Sequence, residues 1–179
     1  FLLLFSIAGY CQFSLTLSTH SENFNGLANS GTINTVMPVG WFFSETGTNA
    51  NTEYRAGTGS ANTGDTYSFG AAGNTERALG GIQSGSLIPT IGFWVTNNTG
   101  STITSILITY TGEQWRLGTS GRTDRLDFQY SLNATSLTTG TWTDVNALDF
   151  FAPVSFGTAG ALDGNAAPNR VNVNSIITG

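Results

Sequence analysis

The sequence predicts an all-β fold, arranged as a two-sheet antiparallel β-sandwich. Gly, Ser, Thr and Asn make up nearly half of the 179 residues, and Lys is absent. Helix-favouring residues are therefore scarce, whereas turn-forming and β-favouring residues are abundant. Hydrophobic residues make up 39% and aromatic residues 12% of the chain, which is enough to bury a core. Short segments that alternate between apolar and polar residues complete the all-β pattern.

Alternating segments and short apolar segments follow one another along the chain and predict roughly nine to eleven short strands joined by turns. They lie at 13–18, 40–44, 67–69, 79–82, 91–95, 103–111, 115–117, 126–130, 142–145 and 171–173. Residues 46–65 are almost entirely small and polar, which predicts a long solvated loop. A second polar stretch covers 153–168. Many short antiparallel strands with turns between them favour two packed sheets.

The clearest strand, 103–111, predicts part of the core. Ile106, Ile108 and Tyr110 share one face of this strand, and the same alternation occurs at 126–130. We therefore expect six side chains to point inward from neighbouring strands: Ile106, Ile108, Tyr110, Leu126, Phe128 and Tyr130.

Residues 1–11 are interpreted as part of a signal peptide, and 12–179 as a single β-sandwich domain. The apolar run at 1–8 is shorter than the roughly 20 residues of a membrane-spanning helix and suits the apolar region of an export signal. Cleavage after Cys11 would leave Gln12 as the first residue of a protein without cysteine. An acylated Cys11 and a buried N-terminal strand are the alternatives. We expect a secreted or cell-surface protein with no membrane span.

The sequence lacks the residues that several kinds of catalytic site require. The single His20 and single Cys11 do not supply a histidine-based triad or a zinc site, and Schiff-base or P-loop chemistry requires a Lys. With six Arg against eleven acidic residues, the net charge of −5 disfavours binding to nucleic acid. We therefore expect a protein that is not an enzyme, has no cofactor and does not bind nucleic acid.

The densest group of polar and aromatic residues is the candidate ligand-binding site. An indole ring can stack on a sugar, while Arg and carboxylate groups hydrogen-bond its hydroxyls. The group consists of Glu113, Trp115, Arg116, Arg125 and Asp127.

The alternative interpretation places Trp115 in the core. Trp115 shares the strand parity of Leu117, so alternation directs it inward. Arg116 would then form a cross-strand ion pair with Asp124 or Asp127.

A weaker candidate for a calcium site lies at Asp163 and Asn165, where oxygen ligands alternate as in calcium-binding loops. The alternative is an Asx turn, in which the Asp side chain accepts a hydrogen bond from the backbone. No metal site is otherwise expected.

Several segments together resemble a domain of exported bacterial proteins, found in PEP-CTERM-type and type IX-sorted surface proteins. They are Ser21-Glu-Asn-Phe-Asn-Gly-Leu27, Pro38-Val-Gly-Trp-Phe-Phe-Ser-Glu45, Gly64-Asp-Thr-Tyr-Ser-Phe-Gly70, Arg77-Ala-Leu-Gly-Gly81, Tyr110-Thr-Gly-Glu-Gln-Trp-Arg116 and Asp124-Arg-Leu-Asp-Phe-Gln-Tyr-Ser131. The resemblance implies a jelly-roll-like sandwich and export, and it assigns no catalytic residues.

The same resemblance bears on the C-terminal end. The family has an acidic closing segment that this sequence lacks. We therefore expect the end of the domain to be missing and a strand near 170–177 to have an unpaired edge.

A second, local resemblance connects the chain to carbohydrate binding. The segment Phe128-Gln-Tyr-Ser131 with Trp142 resembles a hairpin of carbohydrate-binding jelly rolls, here with a longer connecting loop.

These observations favour a non-catalytic extracellular module for adhesion or glycan attachment. Its expected partners are extracellular polysaccharide or other surface modules. An accessory domain of a larger secreted hydrolase is one alternative. A structural module of a cell-surface or matrix assembly is the other.

Overall fold

The computed structural model describes residues 12–178, which form an all-β protein with two short 3-10 helices, Asn146–Leu148 and Ala167–Asn169. The interpretation of residues 1–11 as a signal peptide falls outside the described residues. No helix between residues 12 and 178 is both long and apolar enough to cross a membrane. The strands are β1 (Phe13–Leu15), β2 (Trp41–Thr46), β3 (Arg55–Gly57), β4 (Asp65–Phe69), β5 (Ala78–Ile82), β6 (Ile88–Phe93), β7 (Val95–Asn97), β8 (Ser105–Glu113), β9 (Arg116–Leu117), β10 (Arg125–Leu126), β11 (Gln129–Tyr130), β12 (Thr143–Asp144), β13 (Phe150–Phe151), β14 (Gly160–Ala161) and β15 (Arg170–Thr178).

The first half of the chain supplies one group of strands. β4 lies between β3, which is parallel to it, and β5, which is antiparallel. β2 and β6 form an antiparallel pair in which Trp41 lies opposite Phe93. β5 packs beside β6. β1 runs parallel to β7.

The second half is dominated by a ribbon of two long strands. β8 and β15 pair antiparallel over nine residues each, from Ser105 opposite Thr178 to Glu113 opposite Arg170. We call this pair the β8–β15 ribbon. Three shorter antiparallel ladders join β9 to β14, β10 to β13 and β11 to β12.

The apolar core is built on β4, which is buried on both faces. Tyr67 and Phe69 are two residues apart and therefore share a face. Their rings stack at a centroid distance of 4.9 Å, and Phe69 stacks on Trp115 at 6.3 Å. This cluster joins the first half of the chain to the segment that follows β8. Other fully buried apolar side chains include Tyr54, Leu87, Leu117 and Leu148.

The opposite face of β4 is polar, and its buried groups are hydrogen-bonded. The guanidinium of Arg77, itself buried, donates to the Ser68 hydroxyl at 2.8 Å and also to the Ser68 carbonyl. It donates further to the carbonyls of Gly57 and Ala71, each at 3.3 Å. Burial lowers the pKa of Arg77, and the negative charge of Glu76 opposes this decrease. A single cation thus connects β3, β4 and the turn before β5.

The carboxylate of Glu45 completes this polar face. It accepts hydrogen bonds from the Thr66 backbone N–H at 2.7 Å and from the Thr66 hydroxyl at 2.8 Å. Beside it, Asp65 forms an ion pair with Arg55. The strand is therefore buried without leaving its hydroxyl groups unpaired, which would carry a large cost.

The all-β prediction is confirmed, and strands occur in most of the segments predicted from alternation.

The prediction of one long loop at 46–65 is wrong. β3 lies inside this segment, and Tyr54 is only 1% exposed. Tyr54 forms an isolated antiparallel β-bridge with Asn34, and its hydroxyl donates a hydrogen bond to the Val36 carbonyl. A single aromatic residue among polar neighbours has no alternation, so the sequence pattern did not reveal it.

The prediction of six inward side chains on neighbouring strands is wrong in two respects. Ile106 and Leu126 are exposed, and the other four side chains are half-buried. The two segments are also not paired, because β8 pairs with β15 and β10 pairs with β13. Alternation indicates which side chains share a face, but it does not identify the neighbouring strand.

We expect Arg77→Lys to lower the free energy of unfolding by about 2–4 kcal/mol, since a lysine ammonium cannot reach the same set of acceptors. Urea unfolding followed by circular dichroism measures the change. The control is Arg122→Lys on an exposed side chain, for which we expect a change within about 0.5 kcal/mol. Equal losses in both variants would show that Arg77 does not support the fold in this way.

Candidate functional site

A large open cleft lies between the strands of the described residues. Its volume is about 2300 Å³, and it is lined by β2, β5, β6 and β8 together with the segment 122–132. Three half-buried indole rings lie in its walls, those of Trp41, Trp94 and Trp142. Half-buried aromatic rings in a cleft can provide flat apolar surfaces to a ligand.

All five predicted ligand-binding residues line this cleft, but they form two separate groups. The first group contains Glu113 and Trp115, and the second contains Arg125 and Asp127. Arg116 contacts neither group through a hydrogen bond or ion pair, because it is bonded to a loop.

In the first group, Trp115 belongs to the core. Trp115 is only 5% exposed to solvent, and its indole ring stacks on the Phe69 ring. The indole N–H donates to Glu113 at 3.0 Å. Gly164 packs directly against the indole, where a β-carbon would collide with it. The inward direction expected from strand parity is therefore correct, and the ring lacks the open face that stacking on a sugar needs.

Glu113 connects the indole to the ribbon. One carboxylate oxygen accepts from Trp115, and the other lies 3.2 Å from Arg170, the residue opposite Glu113 in the ladder. The Glu113 side chain is 7% exposed. Burial is the main cause that raises the pKa of Glu113, and the nearby negative charges of Glu76 and Asp163 act in the same direction. The hydrogen bond from Trp115 and the charge of Arg170 oppose this increase.

Arg116 is bonded to backbone carbonyls, which corrects the expected ion pair with Asp124 or Asp127. Its guanidinium donates to the carbonyls of Gly59 at 2.9 Å and Ser60 at 3.1 Å. The two acidic side chains have other partners, since Asp124 pairs with Arg122 and Asp127 with Arg125. Arg116 thereby attaches the loop after β3 to β9.

The second group lies at the solvent-exposed part of the cleft. Arg125 forms an ion pair with Asp127 at 2.5 Å, and both side chains are about half exposed. A third charged group, the buried Asp149, lies 3.7 Å from Arg125 and accepts a hydrogen bond from the Phe128 N–H. Arg125 also lies over the Phe151 ring. These groups offer both donors and acceptors to a polar ligand.

The predicted hairpin containing Trp142 is present. β11 and β12 pair antiparallel, with Tyr130 opposite Thr143, and Val145 donates to the Phe128 carbonyl beyond the ladder. The Trp142 indole N–H donates to the Thr139 carbonyl at 2.8 Å. Tyr130 and Trp142 both line the cleft. The hairpin therefore places an indole ring in the same cleft as the Arg125–Asp127 pair.

Asp163 and Asn165 form the Asx turn that was the alternative to a calcium site. The Asn165 N–H donates to the Asp163 side chain at 3.1 Å, and the Asn165 amide donates to Glu76 at 2.5 Å. In the described part of the chain, no three or more His, Cys, Asp or Glu side chains are grouped so that they could hold a metal ion.

Two contributions to the cleft were not found from the sequence. Trp41 and Trp94 were assigned to strands, but their position in a cleft wall depends on the pairing of β2 with β6. The Glu113–Arg170 ion pair joins residues far apart in sequence, and it depends on the register of the ribbon. The local sequence therefore predicts neither the position of these Trp side chains nor the Glu113–Arg170 ion pair.

Comparison of the chain with protein-family models, curated proteins and solved structures gives no match. The chemistry of the cleft is therefore the basis for assigning a function.

We expect the buried carboxyl of Glu113 to make stability dependent on pH. Its pKa in the folded protein is raised above the ordinary 4.5. The protonated form is thus favoured by folding, and the resulting stability is present below about pH 4.5 and lost as the pH rises through the raised pKa. Glu113→Gln should remove this loss, so the variant's free energy of unfolding should fall less between pH 4.5 and neutrality.

Urea unfolding at a series of pH values measures this effect. Asp144→Asn is the control, because Asp144 is exposed on β12 and makes no ion pair among the described residues. A Glu113→Gln variant with the same pH profile as the wild type would contradict the assignment.

Proposed function

We propose that this chain is a non-catalytic extracellular module that binds a glycan, for adhesion or attachment. The observation that carries the proposal is the open cleft with half-buried indole rings in its walls. The Trp142 ring is the best placed of these, because it follows the loop of the β11–β12 hairpin and immediately precedes Thr143, the ladder partner of Tyr130.

The chemistry of the walls suits carbohydrate. Sugars carry apolar faces of C–H groups and a periphery of hydroxyls. An indole ring presents a flat surface for the apolar face. Three of the four Trp side chains line the cleft without being fully buried, and they are Trp41, Trp94 and Trp142.

The polar groups of the cleft suit the hydroxyls. The Arg125–Asp127 pair combines a donor and an acceptor at one position, and both members are partly exposed. Gln129, one strand residue before Tyr130, is exposed and lines the same cleft. Charge-assisted hydrogen bonds of this kind give direction and selectivity to sugar binding. A ligand of low charge also agrees with the balanced pairing of these Arg and Asp side chains.

We propose that the strands form a two-sheet jelly-roll-like sandwich, and that the chain is an exported bacterial surface domain. The resemblance of the segments 110–116 and 124–131 to such domains supports this assignment. Export to the cell surface or medium agrees with the apolar segment at 1–8 and with the glycan as partner.

An accessory domain of a larger secreted hydrolase would use the same glycan-binding cleft, so the alternative differs in context and not in chemistry. A purely structural module of a surface or matrix assembly would not need the cleft. The exposed apolar residues of the β8–β15 ribbon favour a role in assembly in addition to binding.

Affinity electrophoresis and pull-down with a panel of soluble and insoluble polysaccharides test the proposal. We expect retention by at least one polysaccharide and no release of reducing ends. Trp142→Ala should weaken binding about tenfold through loss of the stacking surface. Trp142→Phe should retain part of the affinity.

The control is Phe156→Ala, because Phe156 is an aromatic residue that is 76% exposed and lies outside the cleft lining. Thermal melts establish that each variant is folded. Equal loss of binding in the Trp142 and Phe156 variants would place the ligand elsewhere. The absence of retention by every polysaccharide would overturn the glycan proposal, and release of sugars would overturn the non-catalytic assignment.

A further inference from the structure

The outer edge of β8 has unpaired backbone groups. β15 lies along one side of β8, and no second strand pairs with β8 among residues 12–178. Within the same range, the backbone hydrogen bonds that lie outside the strand ladders include none to residues 105–113. An unpaired edge of this length can accept an additional strand.

The phase of the ladder identifies which groups point outward. At the end of the ribbon, the Gln114 N–H donates to the Asn169 carbonyl at 2.8 Å, directly across from it. Hydrogen-bonded pairs alternate with non-bonded pairs in an antiparallel ladder. The even-numbered residues of β8 therefore bond to β15, whereas the N–H and C=O groups of Ser105, Leu107, Thr109 and Thr111 face the open edge.

This edge lacks the features that usually prevent strand addition. The strand has no Pro, and its register with β15 continues over all nine residues without a bulge. Its charge is confined to Glu113 at one end. Leu107 is 65% exposed on one face, and Ile106 is 41% exposed on the other. Natural edges normally carry a charge, a proline or a bulge at such a position.

We propose that β8 is a homodimerisation edge, where β8 of a second copy adds antiparallel across a twofold axis at Leu107. The result is a four-stranded sheet with the order β15, β8, β8 and β15. The interface is isologous, so it closes on itself and forms a dimer instead of a fibre. This inference is independent of the glycan proposal.

The sequence of β8 is self-complementary in this register. Leu107 faces the second copy's Leu107, and Ile106 faces the second copy's Ile108. Ser105 faces Thr109 of the second copy. Apolar residues thus meet apolar residues, and hydroxyl residues meet hydroxyl residues, which are favourable cross-strand pairs.

The hydrogen-bonding phase permits the same register. A twofold axis at Leu107 makes the outward groups of 105, 107 and 109 partners of one another. Each hydrogen-bonded pair contributes two backbone hydrogen bonds, which gives roughly six across the axis. An axis at Thr109 would place Leu107 against Thr111 and Ser105 against Glu113, so Leu107 would lose its apolar partner.

The β15 edge is a poorer choice. Its outward groups belong to Asn172, Asn174, Ile176 and Thr178, and an axis at Asn174 would place Ile176 against Asn172. The 3-10 helix Asn146–Leu148 also packs near this strand. An axis at Ile176 would pair Ile176 with itself, but it would place Ser175 against Ile177 and Asn174 against Thr178. The axis at Leu107 of β8 therefore gives more apolar cross-strand pairs than either axis on β15, which is why a second copy through β8 is the proposed occupant.

Sedimentation velocity over a roughly hundredfold range of concentration tests for the dimer, whose population must rise with concentration. Leu107→Lys places two like charges opposite each other at the axis and should weaken dimerisation about tenfold or more. The control is Ile176→Lys. Ile176 lies directly opposite Leu107 on the same face and is similarly exposed at 61%, but it lies on β15. We expect this variant to remain dimeric.

A disulfide cross-link tests the register directly. In a Cys11→Ser background, Leu107→Cys would bring two Cα atoms about 5.5 Å apart at the axis, inside the range that a disulfide spans. We expect this variant to form a covalent dimer on mild oxidation, whereas Ile176→Cys should cross-link far more slowly. Thr109→Pro is a second variant, to be used if Leu107→Lys fails to fold. It removes one outward N–H without removing a hydrogen bond to β15, and it should reduce dimerisation.

A wild-type protein that stays monomeric over the whole concentration range would overturn the proposal. Equal weakening by Leu107→Lys and Ile176→Lys would indicate packing of the ribbon face and would also overturn it. Faster cross-linking of the Ile176→Cys variant than of the Leu107→Cys variant would assign the edge to β15. Binding of polysaccharide by the monomeric Leu107→Lys variant would leave the glycan proposal intact, so the two proposals can fail separately.

Discussion

The central part of the structure depends on the hydrogen bonds that the buried guanidinium of Arg77 donates to β4 and its neighbours. β4 is buried on both faces, so its Ser and Thr side chains and its backbone need partners inside the protein. Arg77 donates to two groups of Ser68 and to two further carbonyls. A planar guanidinium with five fixed donors is suited to this role, and a flexible ammonium is not. The polar side of the sheet is thereby hydrogen-bonded inside the protein.

The few positively charged side chains of the chain all make contacts within the protein. All six Arg lie among the described residues, and each contacts a carboxylate or a set of carbonyls. The contacts are Arg55 to Asp65, Arg77 to Ser68, Gly57 and Ala71, Arg116 to Gly59 and Ser60, Arg122 to Asp124, Arg125 to Asp127, and Arg170 to Glu113. Arg77, Arg116 and Arg170 thereby connect parts of the chain that are distant in sequence, whereas Arg122 and Arg125 pair within their own segments.

The strand β4 and the β8–β15 ribbon differ in how completely their side chains are covered. Around β4 the side chains are fully buried, with Tyr67 and Phe69 stacked in the core. Around the β8–β15 ribbon, Ile106, Leu107 and Ile176 remain exposed. β8 and the segment 122–132 contribute to the walls of the cleft, together with β2, β5 and β6. Exposed apolar surface on a folded protein commonly marks an interaction site.

The sequence by itself determined the all-β class, most of the strand segments and the inward direction of Trp115. These properties depend on residues within a few positions of one another, because side chains alternate along a single strand. Only the tertiary structure decided that β8 pairs with β15 rather than with the strand at 126–130, and that Tyr54 is buried inside a polar segment. It also separated the predicted site into two groups, with Arg116 bonded to the loop at Gly59. Strand pairing and register depend on contacts between distant parts of the chain, and alternation carries no information about which strands meet.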